Sequence, residues 1–355
     1  MNKMFEQGVI RPPSEVSSLL VRVTRNCPWN RCHICPAYKG KKFSRRSVAE
    51  VKNDINMMAE TFAAHLTRFT SAFLQDADTL ILPTDELVEI ITHIKKTFPN
   101  IERVTTYARA KSMKRKHLDD YQQLKEAGLT RIHSGMESGS LKVLKLIQKG
   151  IKPEDILTGG IRVVESGISL SEYIMPGLGG RALSRQHAFE TAKILNQIRP
   201  DFIRVRTLAI HPMSPLQRMV DEGVFAPLSD EEVVAEIRLL LEHLDEMPTH
   251  FRCGDFSLNL LMQVDGRLDT HKQAMIDEID RYLAMSREQK QAYSLIQRTY
   301  PGMRDIAVVQ DNGLMDEAGR EIRRLEEQEE DGFNKYIRSL MTRQLPQLQT
   351  DCWEG

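Results

Sequence analysis

The sequence predicts an α/β fold built on a parallel sheet, and three features carry that reading. Short β-prone runs alternate with amphipathic helical runs six times within about 210 residues. Such alternation implies parallel strands, because parallel neighbours need a crossover connection. Several helical runs carry their own start or stop signal. Three cysteines follow directly on the first β-prone run.

Ser17 to Thr24 is the first strand. Ser47 with Glu50 three residues later matches a capping box, and Val48, Val51, Ile55, Met58 and Phe62 continue as one apolar stripe. Ser71 to Gln75 reads as the second strand. Thr84 is expected to cap a helix with Leu87, Ile90, Ile94 and Phe98 on one face. Arg103 to Tyr107 is the third strand, and the helix through Leu118, Tyr121 and Leu124 should stop at Gly128. Thr130 to Ser134 is the fourth, followed by a helix through Val143, Leu144 and Ile147. A further helix spans Glu154 to Glu165. Ile168 to Ile174 is the fifth strand, and Ser184 is expected to cap a helix running to Pro200. Phe202 to Ile210 is the sixth. An open doubly wound sheet and a barrel both satisfy this pattern. In either, ligands bind beyond the C-terminal strand ends, which is where the cysteines fall.

The rest differs. Glu231–Leu244, Met275–Met285 and Arg287–Gln297 read as helices, and Glu321–Asp331 as a solvated helix face. A single core seldom grows beyond ~250–300 residues. A chain of 355 residues is therefore expected to form a barrel-type domain over 1–225 and a helical cap over 226–355.

Lys+Arg and Asp+Glu both number 49, so the balance gives no support for a nucleic-acid partner. The first residues hold no apolar run of signal-peptide length, and no long uncharged apolar run suits a membrane span. A cytoplasmic protein is expected. The five cysteines, three of them clustered, do not resemble a disulfide framework. The methionines serve as gap-fillers. Cys253 and Cys352 are too few for a second cluster.

The cluster reads Cys27-Pro28-Trp29-Asn30-Arg31-Cys32-His33-Ile34-Cys35. Three thiols within nine residues can converge on one metal centre. A 4Fe-4S cluster with three cysteine ligands leaves one iron open. A structural zinc site is the competing reading. Arg25, Arg31, Lys39, Lys41, Lys42, Arg45 and Arg46 flank the loop and would tune a cluster electrostatically.

This loop resembles the cluster-binding loop of the radical S-adenosylmethionine (radical SAM) superfamily, with four residues instead of three between the first two cysteines and Ile34 where an aromatic is frequent. The resemblance spans roughly residues 17–220. It implies a partial (βα)6 TIM-type barrel with a mostly helical C-terminal extension. It also implies a 4Fe-4S cluster on Cys27, Cys32 and Cys35, and S-adenosylmethionine as second cofactor. An oxygen-sensitive enzyme is implied, fed by a flavodoxin-like or ferredoxin-like donor and acting on a small molecule.

Other strand ends extend the resemblance. Gly135-Met136-Glu137-Ser138 resembles the fourth-strand segment of the branch containing anaerobic coproporphyrinogen oxidases and methylthiotransferases, which gives Glu137, with Gly135 and Ser138 beside it, a role at the ribose. Met175-Pro176-Gly177-Leu178-Gly179-Gly180 resembles the fifth-strand glycine motif, placing Gly177 and Gly179 near adenine. Where a Gly-Gly-Glu stretch holds the amino group in much of the superfamily, this chain has Gln75, Asp76 and Asp78. Arg109 could pair with a carboxylate. Arg204 and Arg206 share one face of the sixth strand and are expected to look into the barrel, toward an anionic substrate group. A non-catalytic zinc or iron–sulfur binding module is the alternative from another class. An RNA modifier of the methylthiotransferase kind lacks support, since no second cysteine triad and no cationic surplus are present.

Overall fold

The computed structural model describes residues 5–300 and 305–345. Its core is an eight-stranded sheet whose spatial order follows the sequence. The strands are β1 (Leu19–Arg22), β2 (Ser71–Gln75), β3 (Arg103–Ala108), β4 (Leu129–Glu137), β5 (Ser169–Ile174), β6 (Phe202–Val205), β7 (His250–Arg252) and β8 (Asp265–Arg267). The first seven run parallel, and only β8 pairs antiparallel. The six strands read from the sequence are all present, but the sixth stops at Val205 instead of running to Ile210, which leaves Arg206 just past its end. The last two were not anticipated, because three residues are too few to show a period.

Crossover helices make the parallel order possible. They are α1 (Val48–Thr61), α2 (Thr84–Thr97), α3 (Ala110–Arg115), α4 (Leu118–Ala127), α5 (Leu141–Leu146), α6 (Pro153–Glu165) and α7 (Gly180–Ile198). Ser47 and Glu50 form the expected capping box, with the Glu50 N–H 3.2 Å from the Ser47 hydroxyl. Gly128 ends α4 in a left-handed conformation that a side chain would strain. Two expected caps are corrected. Thr84 is the first residue of α2 rather than its cap, and its hydroxyl donates to Asp120 at 2.6 Å. Ser184 lies inside α7, which starts four residues earlier, and donates to Glu236. Both hydroxyls found tertiary partners that local sequence does not reveal.

Alternation along each strand sorts the side chains. Val21, Ala72, Leu74, Val104, Ile132 and Leu170 face the helices and join the main apolar core. Phe73, Tyr107, His133, Tyr173 and Arg204 take the opposite face and fill the concave lumen. After β6 come α8 (Pro215–Asp221) and α9 (Asp230–His243), and after β8 come α10 (Leu268–Leu283), α11 (Arg287–Thr299), α12 (Asn312–Gln328) and α13 (Gly332–Arg343). Residues of α11, α12 and α13 enclose a second, smaller apolar core with Leu258. No helix among the described residues is long and apolar enough to cross a membrane.

Candidate active site at the C-terminal strand ends

The cysteine loop leaves β1 through a short antiparallel ribbon, Thr24–Arg25 with Ser44–Arg45. Asn26 and Asn30 sit at positive φ and turn the chain twice. The Asn26 side chain donates to the Lys42 carbonyl at 2.7 Å. The longer first spacer has a visible use: Trp29 turns out of the loop, donates to the Gln148 carbonyl at 2.7 Å, and lies on Gly150. Arg31, Arg109 and Lys111 all stand within cation–π reach of its ring. His33 joins the loop to Ile147 and Leu216 through its backbone.

Cys27, Cys32 and Cys35 are unpaired and partly buried. Burial raises the Cys32 thiol above its ordinary value, and the nearby Cys27 charge adds to this while Lys149 and Arg109 oppose it. Burial and the other two sulfurs push Cys35 up to about 11. Converted to thiolate ligands in this poorly solvated loop, the three sulfurs would repel one another and would need an opposing charge. A 4Fe-4S cluster held by Cys27, Cys32 and Cys35 would supply that charge.

Opposite the loop, β4 carries a register shift between Gly135 and Glu137, and Glu137 takes a left-handed backbone. Such a bulge re-aims the following side chain. The Glu137 carboxylate meets the Lys149 ammonium at 2.8 Å. Burial alone would lower Lys149, but Glu137 and Cys32 hold it above the ordinary lysine value. Lys149 had no role assigned from the sequence, where Lys149-Gly150 only follows the fourth-strand segment as part of the same resemblance.

The structure brings some expected residues together and spends others. Gly135, Glu137 and Arg109 gather near the cysteines. Arg109 donates to the Lys149 carbonyl at 3.0 Å and has no carboxylate partner among the described residues. Gly177 takes φ +88° and opens a cleft lined by Thr207, Leu208, Pro227 and Met341. Its N–H donates to Glu236 at 2.8 Å. Gly179 precedes α7. The second-strand residues have protein partners instead. Gln75 clamps Gly8 and Ile10. Asp76, fully buried, pairs with Arg22 at 2.7 Å and accepts from Tyr38 and the Asn26 N–H. Asp78 accepts from the Arg109 N–H and from Ser112, while burial pushes it to about 6. Ser138 turns away, accepting the Ser140 N–H. Arg204 donates to Ser171 and pairs with Asp255, so its charge is met inside the protein. Arg206 lies over the Phe256 ring with no ion pair among the described residues. Cys253 is buried, and Cys352 lies outside the described residues.

Comparison with known proteins agrees with this geometry. Residues 21–192 match the family model described as the radical SAM superfamily. The match covers just under half of the chain, and the cofactors of the radical SAM fold are a 4Fe-4S cluster and S-adenosylmethionine. It is 26% identical over 116 residues to a tRNA uridine(34) acetyltransferase of Methanocaldococcus infernus, covering 32% of this chain and 22% of that protein. It is 21% identical over 251 residues to an uncharacterized protein of Methanocaldococcus jannaschii, covering 69% and 74%. A solved structure of the cobalamin-dependent S-adenosylmethionine radical enzyme OxsB superposes with a TM-score of 0.51 at 15% identity, over 92% of this chain and 58% of that one. The chain thus spans under a quarter of the acetyltransferase and under two thirds of OxsB, and the latter likeness bears on the fold.

Proposed function

We propose that this protein binds S-adenosylmethionine between the cysteine loop and the ends of β4 and β5, and uses it on a small anionic substrate held in the lumen. The observation that carries the reading is the convergence of Cys27, Cys32 and Cys35 with Lys149, Arg109 and Glu137 on one face of the sheet. The chemistry the cofactors supply when bound is one-electron cleavage of S-adenosylmethionine to a 5′-deoxyadenosyl radical, which takes a hydrogen atom from the substrate.

The chain's own groups have separable tasks. The three cysteines hold the cluster. Lys149 and Arg109 offset thiolate charge and are placed to meet a carboxylate. Glu137 is placed to accept from a ribose diol, and the backbone at Gly177 leaves room for a flat base. Arg206, rather than the internally paired Arg204, is the cation left for the substrate. The helical segment beyond residue 225 closes the β5 side of the site through Glu236 and Met341. Excluding water there protects a reactive intermediate.

The test is anaerobic purification, reconstitution with iron and sulfide, and reduction with dithionite. A 4Fe-4S electron paramagnetic resonance signal that changes on adding S-adenosylmethionine, with release of 5′-deoxyadenosine, is the expected result. About one zinc per chain and no cluster would overturn it in favour of a binding module.

A further inference from the structure

The cysteine loop carries more positive charge than the protein neutralises. No carboxylate side chain occurs between Glu15 and Glu50, while eight Lys and Arg residues do. Lys+Arg and Asp+Glu balance at 49 each over the whole chain, so the excess is local. Four of the eight are met inside the fold. Arg22 pairs with Glu6 and Asp76, Arg25 with Glu6 and Glu50, Arg45 with Glu86, and Arg46 with Asp54. The other four, Arg31, Lys39, Lys41 and Lys42, lie on the loop between the two ribbon strands and have no ion pair among the described residues.

The fold gathers these cations around the cysteines. Asn26 and Asn30 flank Cys27, and their side chains donate to the Lys42 and Lys41 carbonyls at 2.7 and 3.2 Å. The Lys39 ammonium donates to the Asn30 carbonyl at 3.1 Å. The side chains of Arg31, Lys41 and Lys42 are left exposed. The patch continues across Trp29 to the start of α3, where Arg31 and the exposed Lys111 stand 5.4 and 5.8 Å from the ring centre. Asp155, on which Lys111 acts, is already bridged to Lys114 at 2.9 Å. A concentration of one charge on a neutral protein attracts a partner of the opposite sign and fixes where it lands.

We infer that the unpaired cations of the cysteine loop, with Lys111, form the landing surface for an acidic one-electron carrier protein of the flavodoxin kind. This rests on the proposed cluster and reaction, which takes up one electron at the cysteine loop from a separate carrier. The donor's flavin hydroquinone anion becomes the neutral semiquinone, and the cluster gains the electron. No bond or proton changes on this chain. Electron-transfer encounters bury little area and are transient, so charge carries much of the recognition. A surface with its cations beside the cysteines, and little apolar area between them, suits that kind of contact.

The experiment is stopped-flow reduction of the anaerobic, reconstituted protein by a photoreduced acidic flavodoxin, at about 0.05 and about 0.3 M sodium chloride. The rate constant should fall about tenfold between the two. Lys41→Glu with Lys42→Glu should slow reduction about tenfold at low salt and remove most of the salt dependence. Lys95→Glu with Lys96→Glu makes the same charge change on the exposed last turn of α2, where the parallel strands begin, and should leave the rate within about twofold. Iron content and the fraction reduced by dithionite should match the parent in both. Lys111→Glu lies outside the cysteine loop, should slow reduction about threefold, and decides the matter if the loop variant loses its cluster. A rate indifferent to salt, equal slowing by the two double variants, or no reduction by the flavodoxin overturns the inference. So does bulk tRNA that binds more tightly than the flavodoxin and is lost in the loop variant, which would make the patch a nucleic-acid surface. A chain that assembles no cluster overturns both readings. A cluster that the flavodoxin reduces as expected but that ignores S-adenosylmethionine overturns the radical reading alone.

Discussion

Glu137 and Lys149 meet at 2.8 Å across a space that exists only because residue 135 is glycine. A Cβ at Gly135 would stand 2.5 Å from Glu137 Oε1 and 3.3 Å from Lys149 Nζ. Both clashing atoms are tips of flexible side chains, so the fold should survive Gly135→Ala while the carboxylate moves. Affinity for S-adenosylmethionine should fall roughly tenfold, about 1.4 kcal/mol, with cluster content unchanged. Equilibrium binding to the reconstituted protein checks this, and unaltered affinity would remove Glu137 from the ligand-contacting set.

Gly150 supports the other side of the site. It sits at φ +72°, and a Cβ there would lie 2.3 Å from the Trp29 ring. The ring cannot yield without leaving its hydrogen bond to Gln148. Gly150→Ala should therefore loosen the cysteine loop. Iron and sulfide retained per chain should drop at least by half after desalting, while far-UV circular dichroism stays near that of the parent. Full retention would show that Trp29 does not hold the loop.

The parts of the site legible in the sequence were those encoded by local spacing. Cys27, Cys32 and Cys35 announce themselves, and so do the glycines, because positive φ and close approach favour that residue. The charged residues were harder to place. Gln75, Asp76 and Asp78 occupy the strand end where a ligand contact was expected, yet each is satisfied by Gly8, Arg22 or Ser112. Arg204 and Arg206 look equivalent along the strand, and only the loop that delivers Asp255 separates them. Tyr107, His133 and Tyr173 share the inward face, but a polar lumen has no periodic signature. Glu15 reaches His133 across 118 positions, a distance no local pattern spans.

Glu236 ties the C-terminal half to the site. From α9 it accepts the Gly177 N–H at 2.8 Å, the Ser184 hydroxyl, and a contact from His187 at 3.2 Å. His187 in turn reaches the Glu137 carbonyl at 3.2 Å. Glu236→Ala would strand buried donors at a cost of roughly 2–4 kcal/mol. The thermal midpoint should fall, and affinity for S-adenosylmethionine should weaken with cluster content intact. A fall in stability alone would mark Glu236 as a brace without influence on the glycine turn.

Glu172 gives a pH dependence with a definite sign. It is fully buried on β5, and its carboxyl makes no hydrogen bond of good geometry. Burial pushes it up to about 8, with the nearby Ser134 hydroxyl and Met136 backbone only partly opposing and the Glu137 charge adding to the rise. The folded state thus keeps a proton that the unfolded state releases near pH 4.5. Below that value the group costs nothing in ionisation. As pH rises toward 8 the unfolded state gains, and stability declines by up to about 4 kcal/mol. Glu172→Gln keeps the shape and removes the titration. Its stability relative to the parent should therefore rise steadily from pH 5 to pH 8, because all other titrating groups cancel in the difference. His133 titrates in the opposite sense between about 4 and its ordinary 6.5, overlapping the lower part of this window, but it does so in both proteins and cancels in the difference. Urea unfolding of both proteins at pH 5, 6.5 and 8 gives the comparison. Parallel curves would mean that Glu172 is ionised in the folded protein, with a cation or solvent reaching it from the Lys149 side.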